Sequence, residues 1–407
     1  TRFSTVTGVQ TCALPIWISN KYNLGVDCNH MIRDLTVGQK QKVELLKALS
    51  RGCKVLILDE PTAVLTPQET RELFVQLKRL RDQGYGIIFI SHKLDEVMEL
   101  CDRVTVLRHG KVTGNGNIAD LDTIKLSKMM VEREVSLKIE KEKAQPKECI
   151  LKIEKLNYID DFGKRTIDEL SFTVRAGEVV GIAGVEGNGQ TELSEIIAGL
   201  LQRTSGKIIL NNQETAGKTI MQIRQMGMAH ISEDRMKFGI ANNLSIQDNI
   251  AAIYLAGNRF RTGPFLKMKE LNKFVDECIN KFEVACIDGN ENIKFLSGGN
   301  IQKVIVAREF SGDANFIIAN QPTRGIDIGT ADLIRRLLVR ASREKNCAIL
   351  LISSDLTELT EVSDRILVMK SGKIVAQFKD AKNVSDDTLG EYMLGVRRMA
   401  VEEMGGL

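Results

Sequence analysis

The chain has 407 residues, of which 27% are charged and 43% are hydrophobic, as is ordinary for globular proteins. The 56 basic and 53 acidic residues leave a net charge of +3, so there is no basic footprint of a nucleic-acid-binding protein. Apolar runs such as 104–107 and 348–352 are far shorter than the roughly 20 residues that span a bilayer, so any membrane role depends on partner chains. Eight cysteines without a CxxC pair favour reduced thiols over a zinc site or disulfide framework.

The first sixteen residues differ in pattern from the rest of the chain. They read TRFSTVTGVQTCALPI and carry no helical or strand period that continues downstream. The stretch from Val6 to Ile16 resembles the conceptual translation of a sequencing-library adapter, so residues 1–16 are excluded from fold reasoning. We expect them to be an artefact and the chain to begin inside its first domain; a native N-terminus is the alternative.

A long internal repeat organises the remaining sequence. The same offset of 24 residues separates Leu35 from Asp59 and Leu296 from Asn320, and Pro-Thr follows in both copies. Later matches follow in the same order with a shift of one residue: Ser91-His92 with Ser353-Ser354, Asp102-Arg103 with Asp364-Arg365, and Gly110-Lys111 with Gly372-Lys373. Self-similarity over this length predicts two copies of one domain.

The repeat and the charge pattern together set the domain boundaries. We predict a partial first domain over residues 17–131 and a complete second domain over residues 149–396, followed by a tail at 397–407. The segment 132–148 is rich in charge and contains a proline, which is typical of a surface linker.

Within each copy the pattern predicts an α/β fold. Residues 40–50 and 69–83 have helical periodicity, whereas 55–58 and 86–90 are short and continuously apolar. Such runs are typical of parallel strands that are covered on both faces. We therefore predict a P-loop fold with a parallel or mixed sheet.

The second copy contains a predicted phosphate-binding loop after the apolar strand 179–183. The loop reads GVEGNGQT over 184–191 and matches G-x-x-x-x-G-K-[ST] except that Gln190 occupies the lysine position. Its glycines let backbone N–H groups converge at a helix N-terminus, which favours an anion, and Thr191 would supply a hydroxyl to Mg²⁺. The missing ammonium would be worth on the order of 4 kcal/mol beside phosphate at an effective dielectric constant of about 20. The expected nucleotide-binding residues are Gly184, Glu186, Gly187, Asn188, Gly189, Gln190 and Thr191.

The motif LSGGN at Leu296–Asn300, ahead of a strand and a carboxylate or amide pair, resembles the signature of ABC ATPases. This resemblance covers nearly all of the chain from Lys21 onwards. Two fused domains with SEDR at Ser232–Arg235 and PTRGID at Pro322–Asp327 are similar to the ATPases of sugar importers. The segments GVEGNGQTEL, EPTAVLTPQE and QPTRG look most like the subgroup that imports nucleosides with a lipoprotein receptor.

The resemblance implies tandem nucleotide-binding domains, each with a helical signature subdomain. The domains would dock head to tail, with each ATP between the phosphate loop of one and the signature of the other. In a first site Asp59 would hold Mg²⁺, Glu60 would polarise the attacking water and His92 would contact the γ-phosphate. The second domain would add Ser297, Gly298, Gly299 and Asn300.

The resemblance also implies that the second site is degenerate. It would combine the loop 184–191 with a weaker signature in which Val37 replaces the first glycine. The signature residues of this site are Thr36, Gly38 and Gln39. The remaining replacements are Asn320 for the metal-binding aspartate, Gln321 for the glutamate and Ser354 for the histidine. A carboxamide cannot serve as a general base, so we expect this site to hydrolyse little or no ATP.

The roles of four further residues stay open. Glu233 lies in the segment that couples the nucleotide site to the membrane domain in the family, or is a solvated loop charge. Tyr158 or Phe162 either stacks on adenine or packs in the core. Thr66 occupies the place of Asp327 in the repeat, a difference for which the sequence offers no physical reason.

The family implies an ATP hydrolase that uses Mg²⁺ and energises uptake of nucleosides or simple sugars. Its partners would be two transmembrane permease subunits and a substrate-binding lipoprotein, at the cytoplasmic face of the membrane, with no nucleic acid. One alternative is a tandem ABC ATPase that acts on ribosomes, a class that usually has a long basic linker and two intact sites. The other is a fragment that binds partner domains without catalysis; lacking the first phosphate loop, this chain alone is expected to be inactive.

Overall fold

A computed structural model describes residues 31–32, 37–62, 65–91, 93–108, 110–130, 139, 141–255, 259–262 and 265–404. The predicted artefact at 1–16, Thr36 and His92 lie outside these residues. The chain divides into two compact units, Thr1–Val135 and Ser136–Leu407, and each is described by itself. In the described part of the chain, no helix has the length and apolar character needed to cross a membrane.

The first unit combines helices with two pairs of strands. Its helices are α1 (Val37–Ser50), α2 (Pro67–Asp82), α3 (Leu94–Leu100) and α4 (Thr123–Met130). Its strands are β1 (Val55–Asp59), β2 (Gly86–Ile90), β3 (Arg103–Arg108) and β4 (Lys111–Asn117). β1 and β2 pair in parallel, and β3 and β4 pair antiparallel. Leu46 and Leu77 from the helices form an apolar core with Leu56 of β1.

The expectation that β1 and β2 are covered on both faces is wrong for this unit. Val55 and Ile57 are 56% and 67% exposed, whereas Leu56 between them is 3% exposed. The matching strands of the second unit, β13 (Phe316–Asn320) and β14 (Ala348–Ile352), are buried at every position. The difference follows from what packs on the two faces. Alternate residues of β13 and β14 enter two separate apolar cores, whereas in the described part of the first unit β1 and β2 contribute to one core only.

The second unit is a larger α/β domain. Its other strands are β5 (Cys149–Ile159), β6 (Arg165–Arg175), β7 (Val179–Ala183), β8 (Ser205–Leu210), β9 (Gln213–Glu214), β10 (Met228–Ile231), β11 (Arg261–Thr262), β12 (Phe265–Leu266), β15 (Arg365–Lys370) and β16 (Lys373–Phe378). Its helices are α5 (Gln190–Ile197), α6 (Ile220–Gln225), α7 (Ile246–Ala251), α8 (Met268–Lys281), α9 (Gly298–Phe310), α10 (Ile328–Lys345), α11 (Leu356–Val362), α12 (Asp386–Leu394) and α13 (Val401–Met404).

The main sheet of the second unit has six strands in the order β10-β13-β14-β7-β15-β16. All neighbours are parallel except β15 and β16. Alternate residues of the central strands enter two separate apolar cores, with Val179 in one and Val180 in the other, so this sheet is covered on both faces. A four-stranded antiparallel sheet, β6-β5-β8-β9, completes the unit, and the predicted α/β fold class is confirmed.

The start of the second unit includes part of the segment that the sequence indicates as a surface linker. Ile139 is buried in an apolar core of the second unit. The ammonium of Lys141 donates a hydrogen bond to the carbonyl oxygen of Ser363 and lies 4.0 Å from Asp364. Burial lowers the pKa of Lys141 to about 8. Ile139 and Lys141 thus anchor this segment to the second unit, while Glu142, Lys143 and residues 145–148 are exposed, as a surface linker would be.

The structure supplies the missing reason for the exchange of Thr66 and Asp327. Each residue is the N-cap of the helix that follows, α2 or α10. Thr66 accepts a hydrogen bond from the backbone N–H of Glu69, and Asp327 accepts one from that of Thr330. Because threonine and aspartate both cap helices, the two copies keep the same local function with different residues.

Candidate nucleotide site

The predicted phosphate loop connects β7 to α5 in the second unit. Gly187 and Gly189 have φ values of 86° and 103°, which L side chains rarely adopt. A Cβ on Gly189 would collide with the carbonyl oxygen of Thr166, and one on Gly184 would collide with the side chain of Gln190. The loop therefore needs glycine at these places to bring its backbone to the start of α5.

Asn188 fastens the loop to the turn between β15 and β16. Its side-chain amide donates to the carbonyl oxygen of Val185 over 2.9 Å, and its Oδ1 accepts from the backbone N–H of Ser371 over 2.7 Å. The backbone N–H of Gly372 donates to the carbonyl of Asn188 over 3.0 Å. Asn188, expected from the sequence to bind nucleotide, thus holds the loop in shape.

Gln190 turns back onto the loop. The residue is buried, and its Nε2 donates to the carbonyl oxygen of Val185 over 3.2 Å. The carboxamide thereby stabilises the loop backbone, but it brings no positive charge to the anion site that the sequence predicts at the loop and the start of α5.

Thr191 begins a chain of polar contacts across the mouth of the loop. Its hydroxyl donates to Oε2 of Glu233 over 2.7 Å. The other oxygen of Glu233 accepts from Nη1 of Arg324, and that same nitrogen lies 3.7 Å from Oε1 of Glu186 in the loop. The sequence analysis did not identify Arg324 as a site residue. The repeat does contain a signal for it: the matching residue in the first copy is Ala63, so the arginine is specific to the second copy.

The oxygen ligands beside the loop fit a Mg²⁺ ion that is held partly by phosphate. Thr191 and Glu233 present a hydroxyl and a carboxylate within hydrogen-bonding distance of each other. Mg²⁺ is usually bound in proteins by one or two carboxylates together with substrate phosphates and water. No group of three or more His, Cys, Asp or Glu side chains that could hold a metal occurs in the described residues, so a phosphate ligand would have to complete such a site.

The predicted replacement residues meet at the carboxyl edge of the main sheet. Asn320 ends β13 and is buried. Gln321 follows with φ of 50°, and its Oε1 accepts hydrogen bonds of 3.1 Å from both the backbone N–H and the hydroxyl of Ser354 after β14. The structure therefore brings Gln321 and Ser354 into contact.

The first unit has carboxylates at the corresponding edge. Asp59 ends β1 opposite Ile90 of β2, and Glu60 follows with φ of 45°. The backbone N–H of Glu60 donates to the carbonyl of Ile90 over 2.9 Å, as that of Gln321 donates to Ile352 over 2.8 Å. The two copies thus share this backbone geometry, but only the first places carboxylates on it.

The signature of the second copy forms the start of α9. Ser297 is the N-cap, and its hydroxyl accepts from the backbone and side-chain amides of Asn300. The guanidinium of Arg235 donates to the carbonyls of Gly298 over 3.2 Å and of Arg324 over 2.7 Å. A Cβ on Gly299 would lie 2.9 Å from Oδ2 of Asp327. In the first copy, Gly38 and Gln39 lie in the first turn of α1.

The two aromatic candidates for adenine stacking differ in exposure. Tyr158 packs against an apolar core of the second unit. Phe162 is 96% exposed, in the turn between β5 and β6. Tyr158 is thus partly buried against the core, while Phe162 has the free ring face that stacking needs.

A sequence model described as ABC transporter matches residues 16–63 and 167–324. The nucleoside import ATP-binding protein NupA of Lactococcus lactis subsp. cremoris is 40% identical over 379 residues, which are 93% of this chain and 74% of that protein. The chain belongs to the ABC transporter family. The resemblance indicated by LSGGN is thereby confirmed.

Other relatives of this ABC transporter protein carry different substrate names. The glucose import ATP-binding protein TsgD13 of Haloferax volcanii is 41% identical over 88% of this chain, which spans 65% of that relative's length. The guanosine import ATP-binding protein NupO of Bacillus subtilis is 40% identical over 93% of this chain and 74% of its own. The chain therefore spans about two thirds to three quarters of these relatives.

Solved ABC cassettes show the same fold. A dimeric ATP-binding cassette in a post-hydrolysis state, bound to ADP and Pi, has a TM-score of 0.51 at 21% identity. A dimeric bacterial ABC transporter cassette has a TM-score of 0.50 at 22% identity. Each alignment covers 56% of this chain and 97% of the solved chain, so the likeness extends over one whole cassette.

A buried polar network supports the phosphate-loop helix of this ABC cassette. The hydroxyl of Ser194 on α5 lies 3.0 Å from Nε2 of His230, whose pKa burial lowers to about 4. Glu309 accepts hydrogen bonds from the backbone N–H of His230 and from Nε of Arg308, and pairs with Arg224. Burial opposes ionisation of Glu309, but the two arginines hold its pKa below the ordinary value. Sequence reasoning assigned nothing to His230, whose role here is structural.

Proposed function

We propose that this protein is an ATP-binding subunit of an ABC importer and that ATP turnover drives the uptake of nucleosides or simple sugars. The observation that carries the proposal is the 40–41% identity, over 88–93% of the chain, to relatives named for the import of glucose, nucleosides and guanosine. Two transmembrane permease subunits would hold the protein at the cytoplasmic face of the membrane. A substrate-binding lipoprotein would deliver the cargo.

We further propose that the two domains have unequal chemistry. The first unit keeps Asp59 and Glu60, a metal ligand and a group that can polarise water. The second unit has Asn320, Gln321 and Ser354 at the corresponding places, where no side chain can accept a proton from water near neutral pH. The loop of the second unit would therefore bind nucleotide without hydrolysing it, while turnover would depend on Glu60 and His92.

The residues of the second unit fit the phosphates and the cation of Mg²⁺-bound ATP. The loop N–H groups and the start of α5 would bind the phosphate oxygens. Thr191 and Glu233 would hold Mg²⁺, which when bound neutralises phosphate charge. Ser297, Gly298, Gly299 and Asn300 would act as the signature of the competent site, and Thr36, Gly38 and Gln39 as that of the other.

Uptake measured in the source organism tests the importer proposal. The gene would be deleted, and the uptake of radiolabelled guanosine, ribose and glucose compared before and after complementation. We expect uptake of one substrate class to fall to background and to return with the intact gene, but not with Glu60→Gln. Unchanged uptake of all three substrates in the deletion strain would contradict an import role for these substrates.

A further inference from the structure

The phosphate loop of the second unit lacks its usual cation, yet a cation lies beside it. Gln190 is neutral and engaged with the carbonyl of Val185. The guanidinium of Arg324 contacts Glu233 and lies 3.7 Å from Glu186. Glu186 is a residue of the loop, and Glu233 also accepts from the hydroxyl of Thr191 at its other end. Arg324 is therefore placed over the mouth of the loop, where phosphate would lie.

Hydrogen bonds hold the backbone at Arg324, whereas its side chain is partly exposed to solvent. Arg235 donates to the carbonyl of Arg324 over 2.7 Å and also binds that of Gly298, which anchors this turn to the start of α9. The Arg324 side chain itself is 36% exposed. A short rotation about its own bonds would carry the guanidinium from the two carboxylates to an anion in the loop.

The internal repeat supplies an independent argument. In the first copy Ala63 stands where the second copy has Arg324. The copy whose loop has glutamine in place of lysine is thus the copy that carries an added arginine at the loop mouth. A guanidinium presents several N–H donors in one plane and binds phosphate oxygens in pairs, which an ammonium cannot do.

We propose that Arg324 is the phosphate-binding cation of the second unit, in place of the lysine that Gln190 has replaced. The inference rests on the proposed nucleotide-binding function of this loop. Before nucleotide binds, Arg324 neutralises Glu186 and Glu233, which would otherwise repel phosphate. When Mg²⁺ and phosphate enter together, Glu233 turns to the metal and Arg324 to the phosphate oxygens, so that each charge keeps a partner.

The test is binding of the non-hydrolysable ATP analogue AMP-PNP, together with Mg²⁺, to the full chain, measured by isothermal titration calorimetry so that no turnover occurs. Gly189→Ala distorts the loop and identifies the part of the heat that belongs to this site. Arg324→Gln should weaken binding there by roughly tenfold to a hundredfold, the range of one charge-assisted hydrogen bond. Arg340→Gln is the matched control, because it removes the same charge from an exposed pair with Glu344.

A rescue variant separates a charge role from a structural role. If Arg324 supplies the charge that Gln190 lacks, Gln190→Lys should restore affinity to the Arg324→Gln protein. The proposal is overturned if Arg324→Gln binds as tightly as Arg340→Gln. It is also overturned if Gln190→Lys does not restore binding to the Arg324→Gln protein while the hydrogen-exchange pattern of the double variant matches that of the wild type.

The same titrations distinguish this inference from the proposed function. If Gly189→Ala abolishes binding but Arg324→Gln leaves it unchanged, only the role of Arg324 is overturned. If Gly189→Ala removes none of the binding seen with the wild type, both the nucleotide site of this unit and the role of Arg324 are overturned.

Discussion

The hydroxyl and the backbone N–H of Ser354 both donate to Oε1 of Gln321, each over 3.1 Å. The two residues follow β14 and β13, which are adjacent and parallel, so their side chains meet at one edge of the sheet. This is the place at which the first copy has Glu60 and His92 in sequence. Both side chains of the pair in the second unit are neutral, and neither can accept a proton from water near neutral pH.

In an assembled importer whose first domain carries its phosphate loop, Glu60→Gln should therefore remove most of the ATP turnover. We expect a loss of about a hundredfold or more, the usual contribution of a positioned base. Gln321→Ala should leave turnover within about twofold, since it removes no group that acts on water. Phosphate release measures both variants, with unchanged ATP binding as the control, and equal losses would contradict unequal chemistry in the two domains.

Either threonine or aspartate should serve as the N-cap of α2, since the repeat has Thr66 in one copy and Asp327 in the other. Thr66→Ala should destabilise the start of α2 by about 1 kcal/mol, because the N–H of Glu69 loses its acceptor. Hydrogen exchange at the amide of Glu69 should then accelerate about fivefold. Thr66→Asp should leave the rate close to that of the wild type, as the aspartate at Asp327 does in the other copy. If the amide of Glu69 exchanges as fast in Thr66→Asp as in Thr66→Ala, the N-cap hydrogen bond does not protect that amide.

The stability of the second unit should depend on pH through His230. Its folded pKa of about 4 lies below the ordinary 6.5, so between these values the unfolded chain binds a proton that the folded unit does not. Stability that is present above about pH 6.5 is thus lost as the pH falls towards 4, by about 2 kcal/mol at about pH 5. Native-state hydrogen exchange of the β10 amides at about pH 7.5 and about pH 5 measures this loss.

His230→Gln is the variant for this measurement, because it keeps a hydrogen-bonding group near Ser194 and cannot titrate in this range. Its stability should fall less between the two pH values than that of the wild type, by the same 2 kcal/mol or so. Parallel pH profiles for the two proteins would show that His230 does not contribute.

Glu309→Ala should be strongly destabilising. The substitution leaves Arg308 and Arg224 without their shared carboxylate, and Arg308 is buried. Removing one partner from a buried ionic group typically costs about 3–5 kcal/mol. Glu344→Ala removes a carboxylate from the exposed pair with Arg340 and should cost less than about 1 kcal/mol. A denaturant titration monitored by hydrogen exchange of the β10 amides measures the free energy of unfolding of both variants. Similar losses of stability in Glu309→Ala and Glu344→Ala would contradict a structural role for the Glu309 network.

Local patterns predicted much of the second unit. The apolar run Val179–Ala183, the glycines after it and the polar start of the next helix each express a preference that acts over a few residues. The structure has a buried strand, a loop with left-handed glycines and α5 at those places. The offset between the copies also predicted the equivalence of β1 with β13, which the shared φ values of Glu60 and Gln321 reflect.

The sequence did not predict whether both faces of a strand are buried. The runs 55–58 and 86–90 are as apolar as their counterparts in the second copy, yet Ile57 is exposed and Ile318 is buried. Apolar sequence predicts which residues can be buried, whereas burial itself requires helices or another sheet packed on each face. In the described residues of the first unit, β1 and β2 have such packing on one face only.

The sequence by itself determined the family, the repeat and the four replaced residues of the second copy, because these depend on residue identity at matching positions. Only the tertiary structure decided that Thr191, Glu233 and Arg324 form one chain of contacts. Glu233 is 42 residues from Thr191 and 91 from Arg324, and no periodicity links such distant positions. They meet because β10 and β13 are parallel neighbours, so the residues after both strands emerge at one edge of the sheet, beside the phosphate loop.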